Sequence, residues 1–160
     1  MESLSLKTMS IAAMLALGCL GCGRQQLEGS LSEVLDLHYS QTNASSSPDE
    51  MVIRFIQPLG GGGENVVLAV SASRAGVDPN ALQFDLAELT PTGNQRGTLT
   101  RNVFNDPRTT FPPLARGHLQ FNSSLTVGRT VGGNFSVTFQ EGTTFASGRT
   151  VFASFGATVQ

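Results

Sequence analysis

From residue 33 onward the chain reads as short alternating runs broken by turn residues, with no sustained helical period. Alternation of apolar and polar positions places every second side chain on one face of a strand, so each run is read as half-buried β-structure. Glu33 to Ser40 puts Leu35, Leu37 and Tyr39 together, and Met51 to Gln57 does the same with Met51, Ile53 and Phe55. Asn65 to Ser73 is a nearly unbroken Val/Leu/Ala stretch, as expected of a central strand. Ala81 to Leu89, Arg96 to Phe104, Gly117 to Asn122, Arg129 to Gln140 and Arg149 to Gln160 follow. About seven or eight strands spaced in this way predict an all-β fold, either an antiparallel β-sandwich or a small closed barrel.

The connections carry their own chemistry. Pro58 to Gly63 and Thr90 to Asn94 are read as hairpin loops, in which Gly supplies positive φ and Pro presets the entry. Gln41 to Glu50, rich in Ser and Asn, is expected to be a mobile loop. Asn105 to Pro113 contains three prolines and cannot form a central strand.

The last third contains an internal repeat. Gly128 to Gln140 realigns with Gly148 to Gln160, with seven of thirteen positions identical. Val131, Phe135, Val137 and Phe139 share one face of the first copy; Val151, Phe155, Ala157 and Val159 share one face of the second. The two copies are expected to be arms of a C-terminal hairpin over 129–160. Gly132-Gly133 is expected to mark a bulge or a close backbone approach.

The first two dozen residues follow a different pattern. A short polar head containing Lys7 precedes an Ala/Leu-rich run over Ser10 to Leu17 and then Gly18-Cys19-Leu20-Gly21-Cys22. The apolar run is too short for a permanent membrane helix and suits the central region of a secretory signal. A small residue directly before a Cys resembles the lipobox of bacterial lipoproteins, and the resemblance covers this segment alone. It implies a signal peptide over 1–18 and a lipidated Cys19, with Cys22 as the alternative acceptor. A tether would run to residue 32, leading into a single all-β domain over 33–160. An ordinary secretory signal is the rival. By the same resemblance, Leu20 after the lipidated Cys favours the outer membrane of the cell envelope.

Composition narrows the partners. Lys7 is the only lysine, and the chain carries ten Lys and Arg against twelve Asp and Glu. No basic block exists, which argues against a nucleic-acid partner and against electrostatic docking on anionic lipid, so the expected link to the membrane is the N-terminal lipid. Both cysteines lie at the signal boundary, so the body cannot hold an internal disulfide. Ten Phe with one Tyr and no Trp suit a packed interior better than an aromatic glycan platform.

Candidate chemistry is sparse. Asp36 and His38 could begin a metal site but supply too few ligands, and a solvated strand face explains them. His118, Gln120 and Asn122 alternate with Leu119 and Phe121, the pattern of a half-buried strand. Asp78-Pro79-Asn80 reads as a turn, and the Gly60–Gly63 run lacks the Lys-Ser/Thr of a phosphate loop. With no catalytic motif, no metal site and no cofactor site, the expectation is a non-enzymatic structural or interaction module on an envelope lipoprotein. The alternative is a lipocalin-like carrier of a small apolar ligand, and a hydrolase would need one of the histidines to meet a Ser and a carboxylate in one cleft.

Overall fold

The computed structural model describes residues 25–109 and 111–160. The fold is all-β. Its strands are β1 (Gln25–Gln26), β2 (His38–Tyr39), β3 (Gln41–Ser46), β4 (Glu50–Pro58), β5 (Glu64–Ser73), β6 (Gln83–Asp85), β7 (Gly97–Asn102), β8 (Leu114–Phe121), β9 (Thr130–Phe139) and β10 (Thr150–Val159). A short 3-10 helix spans Ser30–Glu33. β1 and β2 pair with each other, and the other eight form one sheet in the order β6-β8-β9-β10-β3-β4-β5-β7. That sheet curls until it is nearly a closed barrel. All its pairings are antiparallel except β10 with β3, which run parallel through Thr158↔Asn43 and Val159↔Ala44.

The two sheet ends meet at Leu86. Its N–H donates to the Gly117 carbonyl and its carbonyl accepts from the Gly97 N–H. One turn further on, the Gln95 amide acts as a strand residue in miniature: Oε1 accepts from the Leu114 N–H at 2.7 Å and Nε2 donates to the Leu114 carbonyl at 2.8 Å. Beyond this point Phe111-Pro112-Pro113 shares a groove with Thr98 and Leu99 of β7. Proline has no N–H to offer a ladder, so the seam stays open there.

The interior is filled by rings. Tyr39 meets Phe55 edge-on at 5.0 Å between centroids, Phe55 meets Phe135 at 5.4 Å and Phe155 at 6.2 Å, and Phe155 meets Phe121 at 5.9 Å. Met51, Ile53, Leu68 and Leu119 are buried around them. Offset and edge-to-face pairs add to the area each ring removes from water.

The C-terminal hairpin forms as read, with Thr150 opposite Thr138 and Thr158 opposite Thr130, and both inward sets buried. Gly132-Gly133 is a close approach: the register with β10 runs through it unbroken. Phe155 lies directly across from Gly133, and a Cβ there would sit 2.6 Å from the Phe155 ring.

Three expectations are corrected. Gln41 to Glu50 is not a mobile loop, because Gln41–Ser46 is strand β3, paired with β4 from Gln41↔Ile56 to Ser46↔Met51. Its composition is that of a loop, but partners on both sides satisfy its backbone, and Ala44 is the one side chain it must bury. The turn shrinks to Ser47–Asp49, where Ser47 Oγ accepts from the Asp49 and Glu50 amides. The strand expected over 33–40 reduces to His38–Tyr39, and that over 81–89 to Gln83–Asp85.

The third correction concerns the N-terminal boundary. The tether expected to reach residue 32 ends earlier, since Leu27 and Leu31 are completely buried. The Leu27 N–H donates to the Leu37 carbonyl, and Glu28 exchanges two hydrogen bonds with Phe152 of β10. This N-terminal flap occupies the β10 edge that β3 leaves open. Arg149 holds it through the Ser30 carbonyl at 2.7 Å and Glu33 at 3.0 Å, and Arg108 through the Val34 carbonyl at 2.8 Å.

Candidate functional site

Cys19 and Cys22, the expected lipid acceptors, lie outside the described residues. Asp36 and His38 do meet: one Asp36 oxygen takes both the ring Nδ1 at 2.6 Å and the His38 amide at 3.1 Å. The His38 hydrogen bonds hold the Asp36 carboxyl below its ordinary value. Among the described residues no group of three or more His, Cys, Asp or Glu side chains could hold a metal. Asp78 accepts from the Asn80 amide at 2.7 Å, which is the turn expected there.

Two charged groups tie chain segments together. Arg101 is buried and donates to the carbonyls of Asp36 and Val67 and to Asp106. Asp106 also receives Arg108, whose bonds, with help from Arg101, hold its carboxyl far below the ordinary range. Arg96, also buried, caps the Ser73 and Ala75 carbonyls and reaches Glu88. Every hydrogen bond these arginines make ends within the fold, so they join the flap and loops to the barrel.

The outer face of the sheet is the more promising surface. Ladder register aligns two polar rows across β6, β8, β9 and β10. One row is Gln83↔Gln120↔Asn134↔Ser154 and the next is Asp85↔His118↔Ser136↔Phe152. The flap extends both, because Glu28 pairs with Phe152, and Gln26, two residues earlier, lines the same groove as Ser154. Inward-facing neighbours such as Leu119 and Phe135 are buried while these side chains are half-buried or exposed. Neighbouring strands are about 4.8 Å apart, so each row follows roughly 19 Å of the barrel's curved outer surface.

Two shallow grooves lie on this face. One, of about 530 Å³, runs beside Asp85, Arg116, His118, Ser136 and Thr138. The other, of about 420 Å³, is bounded by Gln26, Glu28, Asn134, Phe152 and Ser154, and Ser136 lines both. Asp85, His118 and Ser136 thus share a groove, but the only hydrogen bond of the His118 ring among the described residues is a long one, 3.5 Å, to Gln120 Oε1. Asp85 is engaged by the Ala87 amide at 2.9 Å. The hydrogen-bonded relay that a nucleophilic serine requires is therefore not assembled.

Reading the sequence singled out His118 and Gln120 but not the rows. Their members come from segments as far apart as residues 26 and 154, and nothing local specifies the register that aligns them. Comparison with protein-family models, with curated proteins and with solved structures found no match.

Proposed function

We propose that this protein is a lipid-anchored lipoprotein of the bacterial cell envelope, on the outer membrane. Its barrel is a non-enzymatic interaction module that works from its outer surface. The observation that carries the reading is the division of side chains between the two faces of the sheet. Phe rings crowd the inside, and amides, hydroxyls, an imidazole and carboxylates cover the outside. A barrel that spans lipid shows an apolar band outward and polar groups inward, so this arrangement supports an aqueous setting, while the anchor rests on the lipobox-like Gly18-Cys19.

Lipidation at Cys19 would bring the body close to the bilayer. Gln25, where the described structure starts, follows Cys19 by six residues. Six extended residues reach at most roughly 20 Å. Two or three acyl chains, each contributing about 0.8 kcal/mol per buried methylene, make such an anchor long-lived.

The near-closed barrel is compatible with a lipocalin-like carrier, but such a carrier keeps a void for its ligand. The chain of ring contacts from Tyr39 through Phe55 and Phe155 to Phe121 weighs against that reading. Radiolabelled palmitate fed to producing cells tests the anchor. Label should enter the wild type and be lost in Cys19→Ser. An unlabelled wild type sinks the lipoprotein reading, and label lost only in Cys22→Ser moves the site.

A further inference from the structure

We infer that the end of the barrel carrying Phe104 and Leu59 rests on the bilayer, with these two side chains entering the headgroup boundary of a zwitterionic phospholipid layer. This rests on the lipoprotein reading and deepens it by naming which surface of the body meets the membrane. Most of the ten Phe are buried or packed on the core, yet Phe104 is 74% exposed. It stands at the tip of a tight turn. The Asp106 N–H donates to the Val103 carbonyl at 3.0 Å, and Asn105 takes a φ of 61°, the one positive value outside glycine among the described residues. Side chains hold this turn in place: Asp106 accepts from the buried Arg101 and from Arg108, and the Phe104 N–H donates to Asn65 Oδ1 at 2.9 Å. The ring is thus presented in one place, and an apolar group fixed in position beforehand loses little freedom when it meets its partner.

Leu59 joins it from the neighbouring hairpin. The β4–β5 loop springs from the pair Pro58↔Glu64, and Asn65, which holds the Phe104 amide, is the next residue of β5. Leu59 donates its N–H to the Gly63 carbonyl at 2.7 Å and is 37% exposed, and the loop from Leu59 to Gly63 carries no charge. Glu64 and Arg108, both exposed, flank the pair with one charge of each sign, which suits a zwitterionic layer better than an anionic one.

The tether selects the occupant. Gln25 pairs with Tyr39, and the Ser40 N–H donates to the Ile56 carbonyl, so the chain enters the body two strands from the end of β4. Two strand spacings, with the three residues from Ile56 to Leu59, put that entry roughly 14 Å from Leu59. A lipidated Cys19 six residues before Gln25, within a reach of roughly 20 Å, can therefore set this end against its own bilayer. Two side chains make too small a patch for a stable protein interface, which buries about 1,000 Å² or more. They suffice for lipid, because the tether has already made the contact intramolecular.

The chain has no Trp, so Phe104→Trp installs a single fluorescent reporter. The lipidated protein, reconstituted in phosphatidylcholine vesicles with or without bromine on the acyl chains, tests the contact. Emission from Phe104→Trp should move to the blue and lose about half its intensity to the brominated chains, as for a ring seated in the headgroup and acyl boundary. Leu59→Trp, a second reporter on the neighbouring loop, should do the same. Val127→Trp, at a site 75% exposed on the β8–β9 loop at the other end of the barrel, should keep the emission of a ring in water. Quenching at Phe104 or Leu59 with none at Val127 supports the proposal. Emission unquenched at both overturns it, and so does equal quenching at Val127, since the body would then meet lipid without a preferred face. A wild type that takes no palmitate loses the tether and the proposal with it, whereas a labelled protein without quenching leaves the anchor standing and overturns the contact alone.

Discussion

Phe135 and Asp106 show how single side chains hold this fold. Phe135 is 2% exposed and touches Phe55 at the centre of the ring network. Its truncation to Ala should cost about 3–5 kcal/mol, read from the urea midpoint. Asp106 works by charge. Its partner Arg101 has a side chain only 3% exposed, so Asp106→Ala leaves a buried cation uncompensated and should cost on the order of 3 kcal/mol at neutral pH. The folded Asp106 carboxyl titrates well below its ordinary value of 3.8. A depressed folded value means that its stabilisation is fully present above the ordinary one and is lost as pH falls through the depressed one. The gap in stability between wild type and Asp106→Ala should therefore hold at pH 5–7 and narrow as acid is taken below about pH 4. A gap that widens with acid would contradict the pairing.

Among strands and turns, Gly133 and β3 are instructive. Gly133 leaves room for Phe155 to lie across the hairpin, an aromatic ring covering a glycine on the neighbouring strand. A methyl at Gly133 would meet both that ring and the Gln120 carbonyl of β8. Gly133→Ala should cost about 1–3 kcal/mol by forcing β8 and β10 apart, measurable as a lower melting temperature. The Gly-Gly pair in the sequence already pointed to a bulge or a close approach, and the structure decides for the latter. The bulges lie elsewhere, between Phe55 and Ile56, between Val66 and Ala69, and between Leu114 and Arg116. β3 shows the opposite limit. Its Gln-Thr-Asn-Ala-Ser-Ser run has loop composition, and it becomes a strand because β4 and the end of β10 pair with it. Strand propensity is largely a report of neighbours; the β4 partners lie 5 to 15 residues away and the β10 partner 115 away, and the run's own composition declares neither.

Taken as a whole, the molecule is a nearly closed barrel whose N-terminal flap covers the β10 edge that β3 leaves unpaired. Leu27→Ala should cost about 2–5 kcal/mol if the flap belongs to the core. A mere tether would tolerate it, so an unchanged urea midpoint would remove the flap from the folding unit. Much of this was legible along the chain: the all-β class, the strands β4, β5, β7, β9 and β10 to within a few residues, the inward set of the hairpin, and the cysteine-free body. Those features are local, because alternation with period two and turn residues at fixed offsets are written into consecutive positions. What only the tertiary structure decided was pairing. It closed the sheet through Leu86 and Gln95, drew residues 25–32 into the core, and aligned Gln83, Gln120, Asn134 and Ser154 in one row. Each of these depends on backbone hydrogen bonds between distant segments, which use the same N–H and C=O groups in every residue and so leave no mark in the order of side chains.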